Sequence, residues 1–382
     1  MSATLAVLIA SGVSVASITV AQLRSNVTSI ALPGSDGEAQ PPGIGGFEGG
    51  FDMLIVGSDE CVDTGGCPGR TEKLADFTML VHVADDHRSA VAVSFPRDMI
   101  VPIPECPRED GSGTYDAMSA QQINASLAYG GLPCTVLTVR ALTGLDIPFA
   151  GVMTFAGVRE ISSAIGGVPV CIDAPIDDPR SGLELATAGT HLLAGEQALQ
   201  FLRTRYGVGD GSDTGRIGSQ QAFLASMLRT IKQSSTLTDP AKMFSLATAA
   251  TRNMALSDNL NDLTLVSMAL IFKDIPLDDI AFVKYPAGSR TTAPGRGFPD
   301  EAAADDLFAR IERGLPVVPD QSAPGVGTVT STEVDSTASP SVAATTGSPS
   351  ASVPPDAAVG TDPVAGATGQ TAAEEVCSKA NR

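Results

Sequence analysis

The sequence predicts a layered α/β domain, set between an N-terminal membrane anchor and a disordered tail. Short apolar runs closed by glycine or proline read as buried strands. Roughly ten-residue stretches with helical apolar spacing alternate with them, which is the pattern of a layered α/β fold. Composition shifts near residues 50 and 318 mark where the domain begins and ends.

Residues 3–22, ATLAVLIASGVSVASITVAQ, form one uncharged, largely apolar run of membrane-span length. We read residues 1–22 as a transmembrane signal anchor, with a cleaved signal peptide as the alternative. No Lys or Arg precedes the run, so the usual basic cytoplasmic flank is missing. Either reading places the rest of the chain outside the cytoplasm. Residues 23–50 read as a Gly/Pro-rich linker; their GIGGFEGG precedes a strand, whereas a nucleotide fingerprint comes after one.

Within the domain, placed at 51–317, DMLIVG (52–57), FTMLVHVA (77–84) and SAVAVSF (89–95) are predicted strands. Helices are predicted over 120–131, 135–144 and 155–167, each closed by glycine. VPVCID (168–173) returns to strand, and GEQALQFL (195–202) to helix. From Arg216 onward, Ile217, Leu224, Met227, Leu228 and Ile231 keep helical spacing, with Asp213 or Thr214 as N-cap. Asp239-Pro240 is a helix start, LNDLTLVSMALIF (260–272) a helix and IAFVKYP (280–286) a late strand. From 318 to 382 there is no Phe, Tyr, Leu, Ile or Met, so this Ser/Thr/Ala/Pro-rich tail is predicted to be disordered.

The net charge of −19 and pI near 4.4 exclude a broad basic face for duplex nucleic acid. Six cysteines suit an exported protein. Cys61 and Cys67 flank a Gly-rich turn and are placed to close a small loop, and Cys106 with Cys134 is the next pairing considered. Cys377 is either unpaired or pins the tail back. With no C-x-x-C and no nearby histidine, a thiolate metal site is disfavoured.

Against this acidic background, Leu199–Gln221 gathers Arg203, Arg205, Arg216 and Asp213 around a glycine-rich loop. Arg216 and Gln220 fall one turn apart on one helical face. A helix start offers free N–H groups, and guanidinium groups grip phosphate oxygens in a bidentate way, so the stretch suits a phosphate or diphosphate. Asp59 comes just after one strand and Asp76 just before another, a placement suited to holding magnesium, which takes one or two carboxylates with phosphate and water. Arg97, after the strand ending at Phe95-Pro96, emerges at the same edge. Two acids and clustered arginines together suit phosphoryl transfer. No G-x-S-x-G elbow or P-loop is present, and His82, His87 and His191 form no metal-ligand pattern; His82 reads as a packed strand residue.

With these residues in view, the chain resembles the LytR-CpsA-Psr family of cell-wall glycopolymer transferases. The matching stretches are LIVGSD, LADFTMLVHV, VSFPRDMIVPIP, QINASLAYGG, TFAGVREISSAIGGVPVCID, LLAGEQALQFLRTR and SDTGRIGSQQAFL, in family order over about residues 51–232. The resemblance implies a membrane-anchored enzyme whose extracytoplasmic domain is a three-layer α/β/α fold with a central mixed β-sheet. Such an enzyme moves a glycopolymer from a polyprenyl-diphosphate carrier onto peptidoglycan through a phosphodiester. It further implies that Asp59 and Asp76 hold Mg2+, and that Arg97, Arg203, Arg205 and Arg216 bind the diphosphate with Gln220. Asp213 would act near the arginines as a base or orienting group, and an apolar pocket would take the polyprenyl chain. An actinobacterial source suits the tail and cysteines. Three departures lower the positive charge: Glu60 where arginine is common, Gln122 where lysine is common, and the extra acid Asp63. The competing readings are a polyprenyl-diphosphate hydrolase and a non-catalytic lipid-carrier or wall-binding protein.

Overall fold

In a computed structural model of the chain, residues 28–34, 49–58, 73–233, 246, 249–250, 252–260, 262–290, 293–320, 327–331 and 362–381 are described. The run at 3–22, the segment with Asp59, Glu60, Cys61, Asp63 and Cys67, and the predicted helix start at Asp239-Pro240 lie outside them. Among the described residues, no helix is long and apolar enough to cross a membrane.

Strands β1 (Thr28–Ile30), β2 (Phe51–Ser58), β3 (Ala75–Val83), β4 (Ala90–Ser94) and β5 (Phe149–Met153) are succeeded by β6 (Val168–Ile172) and β7 (Gly189–Leu193). Later in the chain come β8 (Met254–Ser257), β9 (Ile280–Lys284), β10 (Thr328–Thr330), β11 (Gly369–Thr371) and β12 (Val376–Ser378). The helices are α1 (Ser126–Thr143), α2 (Phe155–Ala164), α3 (Glu196–Arg203), α4 (Asp213–Gln233), α5 (Asp262–Asp274) and α6 (Glu301–Glu312).

The central sheet has the order β1-β8-β5-β2-β3-β4-β9-β11. The β1/β8, β5/β2 and β4/β9 pairs are parallel and the others antiparallel, so the sheet is mixed. Period-two alternation divides its side chains between two cores. Leu54, Val56, Leu80, Val91, Val93 and Val283 pack with Leu127, Val136 and Val139 of α1 and Leu307 and Phe308 of α6. Their neighbours Phe51, Met79, Val83, Ala92 and Phe282 pack on the opposite face with Ala225 of α4 and Met268 of α5. This is the three-layer α/β/α arrangement. A second sheet, β7-β6-β12-β10, covers the outer side of α4, where Val168, Val170 and Ile172 meet Phe201 and Phe223.

Several boundaries differ from the sequence prediction. Residues 118–122 form a strand against 100–103 where a helix was expected, and α1 starts only at Ser126. Its Gly130 (φ −143°) and Gly131 (φ 64°) leave helical geometry, so the two predicted helices are two arms around a glycine break. The predicted flexible linker contains β1, which pairs with β8; the short MALS strand carries too little alternation to be read from sequence. The C-terminal tail departs most. Residues 362–381 lay β11 along β9 and β12 along β6, and Cys377 is joined to Cys171. Apolar content is indeed low there. Order comes instead from backbone pairing and the disulfide, which compensate for entropy without a large core. A second disulfide joins Cys106 to Cys134.

The β9/β11 pairing is close. A Cβ on Gly369 would collide with the Phe282 carbonyl oxygen. Gly369→Ala is therefore expected to lower unfolding free energy by about 1–3 kcal/mol through displacement of β11. Urea unfolding of the two proteins checks it; an unchanged midpoint would show that β11 adds nothing.

Candidate active site

The site is built where β3 begins, β4 exits and α4 starts. Asp76 is the second residue of β3. Across the ladder, Ser58, the last described residue before Asp59, pairs with Ala75 beside it. The chain leaves β4 through Phe95, whose ring lies 5.1 Å from that of Tyr285, and this buried contact fixes where Arg97 emerges. α4 begins at Asp213, three residues before the predicted start, and the cap is Ser212, whose Oγ accepts from the Gly215 N–H at 3.2 Å. Because Ser212 caps the helix, the Asp213 carboxylate is available to the arginines.

Four predicted site residues converge. Asp213 Oδ1 accepts from Arg216 Nη2 at 2.5 Å, and its Oδ2 accepts from the Arg97 backbone N–H at 3.2 Å. Arg97 Nη1 donates to Asp76 Oδ1 in a short contact, while its Nε lies 3.6 Å from Asp213 and 3.7 Å from Asp98. Arg216 Nη2 also donates to the Asp76 carbonyl at 3.1 Å. Burial opposes the Arg97 charge, yet the carboxylates of Asp76, Asp213 and Asp98 outweigh it and raise its pKa. At Arg216, 5% exposed, burial dominates and lowers the pKa, with Asp213 opposing; a guanidinium stays charged regardless. Among the described residues, the buried Nε atoms of Arg97 and Arg216 have no hydrogen-bond partner. Buried donors in that state are suited to meet ligand oxygens.

This cluster forms one wall of a cavity of about 460 Å³. Arg97, Arg180, Arg203, Arg205 and Arg216 line it together with Asp76, Asp178 and Gln220. Its remaining walls are apolar, from Ile55, Phe77, Met79, Phe155, Leu199 and Leu224 among others. Gln220 Nε2 donates to the Leu202 carbonyl at 2.9 Å, tying α4 to the end of α3. Arg205 Nε donates to the Gly211 carbonyl at 3.1 Å, and the Arg203 guanidinium lies 4.7 Å over the Phe155 ring. His82 is remote from this cavity, 3.0 Å from Asp52.

Asp59 and Glu60 lie outside the described residues, and among those that are described no group of three or more acids, histidines or cysteines is placed to hold a metal. The donor chemistry still fits magnesium, because Asp76 presents a carboxylate at the cavity wall and a magnesium site needs only one or two, with phosphate and water completing it. Gln122, which stands where lysine is common, donates to Asp98 at 2.5 Å, and Arg296 donates to the same oxygen at 3.1 Å. Arg296 thus brings positive charge that no sequence motif announced.

Sequence reading also missed Asp178, Arg180 and Tyr206. Asp178 sits in an Asp-Asp-Pro turn that resembles a solvated loop, but it is 2% exposed. Its Oδ2 accepts from Thr204 Oγ1 at 2.6 Å and from the Arg205 N–H at 3.3 Å, and its Oδ1 accepts from the Arg180 N–H at 3.0 Å. Burial alone would raise its pKa; these bonds outweigh it and the pKa is lowered. A folded-state value below the unfolded one contributes stability above about pH 4, lost as pH falls through the folded value. Asp178→Asn is therefore expected to flatten the acid limb of a stability–pH curve below about pH 4. Identical limbs for the two proteins would contradict this.

The family model for LytR_cpsA_psr matches residues 22–308. The chain is 29% identical over 268 residues to the cell wall biosynthesis protein LcpA of Corynebacterium glutamicum, covering 63% of this chain and 51% of LcpA. It thus spans about half of LcpA's length. It is 27% identical over 267 residues to the polyisoprenyl-teichoic acid–peptidoglycan teichoic acid transferase TagU of Bacillus cereus, covering 69% and 79%. Its fold is similar to that of the LytR-Csp2A-Psr enzyme from Actinomyces oris, with TM-score 0.55, 20% identity, and 75% and 96% covered. It is also similar to TagT bound to LIIa-WTA, with TM-score 0.52, 18% identity, and 75% and 98% covered. At such identities these structures speak to fold alone.

Proposed function

The chain belongs to the LytR_cpsA_psr family, and from that premise we propose that it moves a glycopolymer from a polyprenyl-diphosphate carrier onto peptidoglycan, with magnesium. TagU is named as a transferase of teichoic acid between a polyisoprenyl-linked form and peptidoglycan, which supports the general kind of transfer. The observation that carries the proposal for this chain is the 460 Å³ cavity, which joins an arginine-rich wall to apolar walls. A lipid diphosphate needs both environments at once.

In this reading, an acceptor hydroxyl attacks the phosphorus that bears the glycan. A new P–O bond forms, the P–O bond to the bridging oxygen breaks, and polyprenyl monophosphate leaves. The hydroxyl proton passes to solvent or a neighbouring base. Arg97 and Arg216, whose buried Nε–H groups have no partner among the described residues, would donate to the phosphate oxygens that gain charge. Asp213 accepts from both arginines, which favours the orienting role over that of a base. Bound by Asp76 with Asp59, magnesium would neutralise diphosphate oxygens. Residues 1–22 are proposed to anchor the chain in the cell membrane as a single span, with the catalytic domain extracytoplasmic and close to its lipid donor.

The test is incubation of the full chain with a short polyprenyl-diphosphate glycolipid and magnesium, with and without peptidoglycan oligomers, then mass spectrometry of the products. A phosphodiester-linked glycan on peptidoglycan establishes the transferase. Free glycan phosphate in both tubes would establish the hydrolase instead, and unchanged lipid retained by the protein a binding role.

A further inference from the structure

The cavity's arginines divide into two electrostatic classes. In the inner cluster, Arg97 and Arg216 of the cavity wall meet Asp76, Asp98 and Asp213, and Arg296, outside the lining, pairs with Asp98 as well, so three positive charges face three negative ones. At the rim, Arg180, Arg203 and Arg205 form no ion pair among the described residues. Each lies over an aromatic ring instead: Arg180 at 4.0 Å and Arg205 at 5.8 Å from the centre of Tyr206, and Arg203 at 4.7 Å from that of Phe155. A ring face positions a guanidinium without neutralising it, so the charge stays available to an incoming anion.

The rim is also held in place. Among the described residues, Asp178 is the sole acid lining this part of the cavity, and its hydrogen bonds go to backbone N–H groups and the Thr204 hydroxyl, not to guanidinium groups. It thereby fixes the hairpin carrying Arg180 to the segment carrying Arg205 and Tyr206. From the other side, Asn381 Nδ2 donates to the Tyr206 carbonyl at 2.9 Å. Arg180 itself is exposed, so its side chain bears on the ligand more than on folding.

We propose that Arg180 is a further anion-binding residue of this cavity, forming with Arg203 and Arg205 a rim subsite for a diphosphate, and that Asp178 positions it. The inference rests on the lipid-diphosphate reading above and assigns the uncompensated charge to the rim. The inner arginines, already paired, serve the reacting phosphorus.

The probe is inorganic pyrophosphate, titrated calorimetrically into the full chain at low salt with magnesium, alongside the donor KM in the transfer assay. Arg180→Ala is expected to weaken pyrophosphate binding and raise the donor KM roughly tenfold, with kcat changed much less. Arg159→Ala, which removes a surface partner of Glu196, is the control expected to leave both unchanged. Asp178→Asn is expected to weaken binding too, but to add less in the Arg180→Ala background than alone, the remainder passing through Arg205, whose N–H it also accepts from. Pyrophosphate binding and donor KM both unaltered by Arg180→Ala, in a chain that transfers glycan, would overturn this inference alone. Full additivity of Asp178→Asn would overturn the positioning role. A wild-type chain that neither binds pyrophosphate nor transfers glycan would overturn the functional reading as well.

Discussion

Arg97→Ala is expected to lower kcat/KM for glycan transfer roughly 10²–10³-fold, the scale seen when one donor to a developing oxyanion is removed. Arg97 reaches Asp76 and Asp213 and lies near Asp98, so in the proposed transfer it would both offer charge to the phosphate and keep three acids from repelling it. Arg97→Lys is expected to recover only part of the loss, because one ammonium cannot replace a planar fork that spans several carboxylates. Arg216→Ala carries a second effect. It leaves Asp213 buried without its closest cation, and breaking a buried pair in this way costs about 3–5 kcal/mol. The two variants are separated by measuring unfolding and transfer together: Arg97→Ala loses rate with stability largely kept, whereas Arg216→Ala loses both. Transfer within threefold of wild type for a folded Arg97→Ala protein would remove Arg97 from the site.

The double variant Cys171→Ser/Cys377→Ser is expected to lose about 5 kcal/mol of stability, the loop-entropy value for a closure of this length. That bond links positions 206 residues apart, whereas Cys106–Cys134 spans 28 and is expected to contribute about 3.5 kcal/mol on the same basis. The longer closure also holds β12 on β6, beside the backbone bonds of Lys379 to Gly209 and of Asn381 to Gly207. Loss of the Cys171–Cys377 bond should therefore loosen the Arg205–Tyr206 segment before it unfolds the central sheet. Denaturant unfolding with hydrogen exchange checks both parts. Equal stability of the variant and wild type would mean that pairing alone holds the C-terminal segment.

The fold was largely legible because strands such as 52–57, 77–84 and 280–286 carry clean runs of apolar residues between turn signals. Arg97, Asp213, Arg216 and Asp76 were legible as chemistry, and the structure brings them together. Asp178 was not, since a buried acid in a Pro turn looks the same in sequence as a solvated one. Arg180 and Arg296 sit on hairpins whose docking depends on tertiary contacts with no local pattern. The C-terminal segment misled because composition reports on core formation, while its order rests on strand pairing and Cys377.

The two edges of the central sheet, β1 and β11, come from opposite ends of the described chain. A polypeptide emerges from the ribosome N-terminus first. Ribosome-bound intermediates therefore hold β9 with an open ladder until residue 371 has been made. An unpaired edge of that kind recruits other strands. A chain that stops short of Gly369 is therefore expected to keep that ladder open and to aggregate more readily than the whole chain, which the soluble fraction of the two on expression checks.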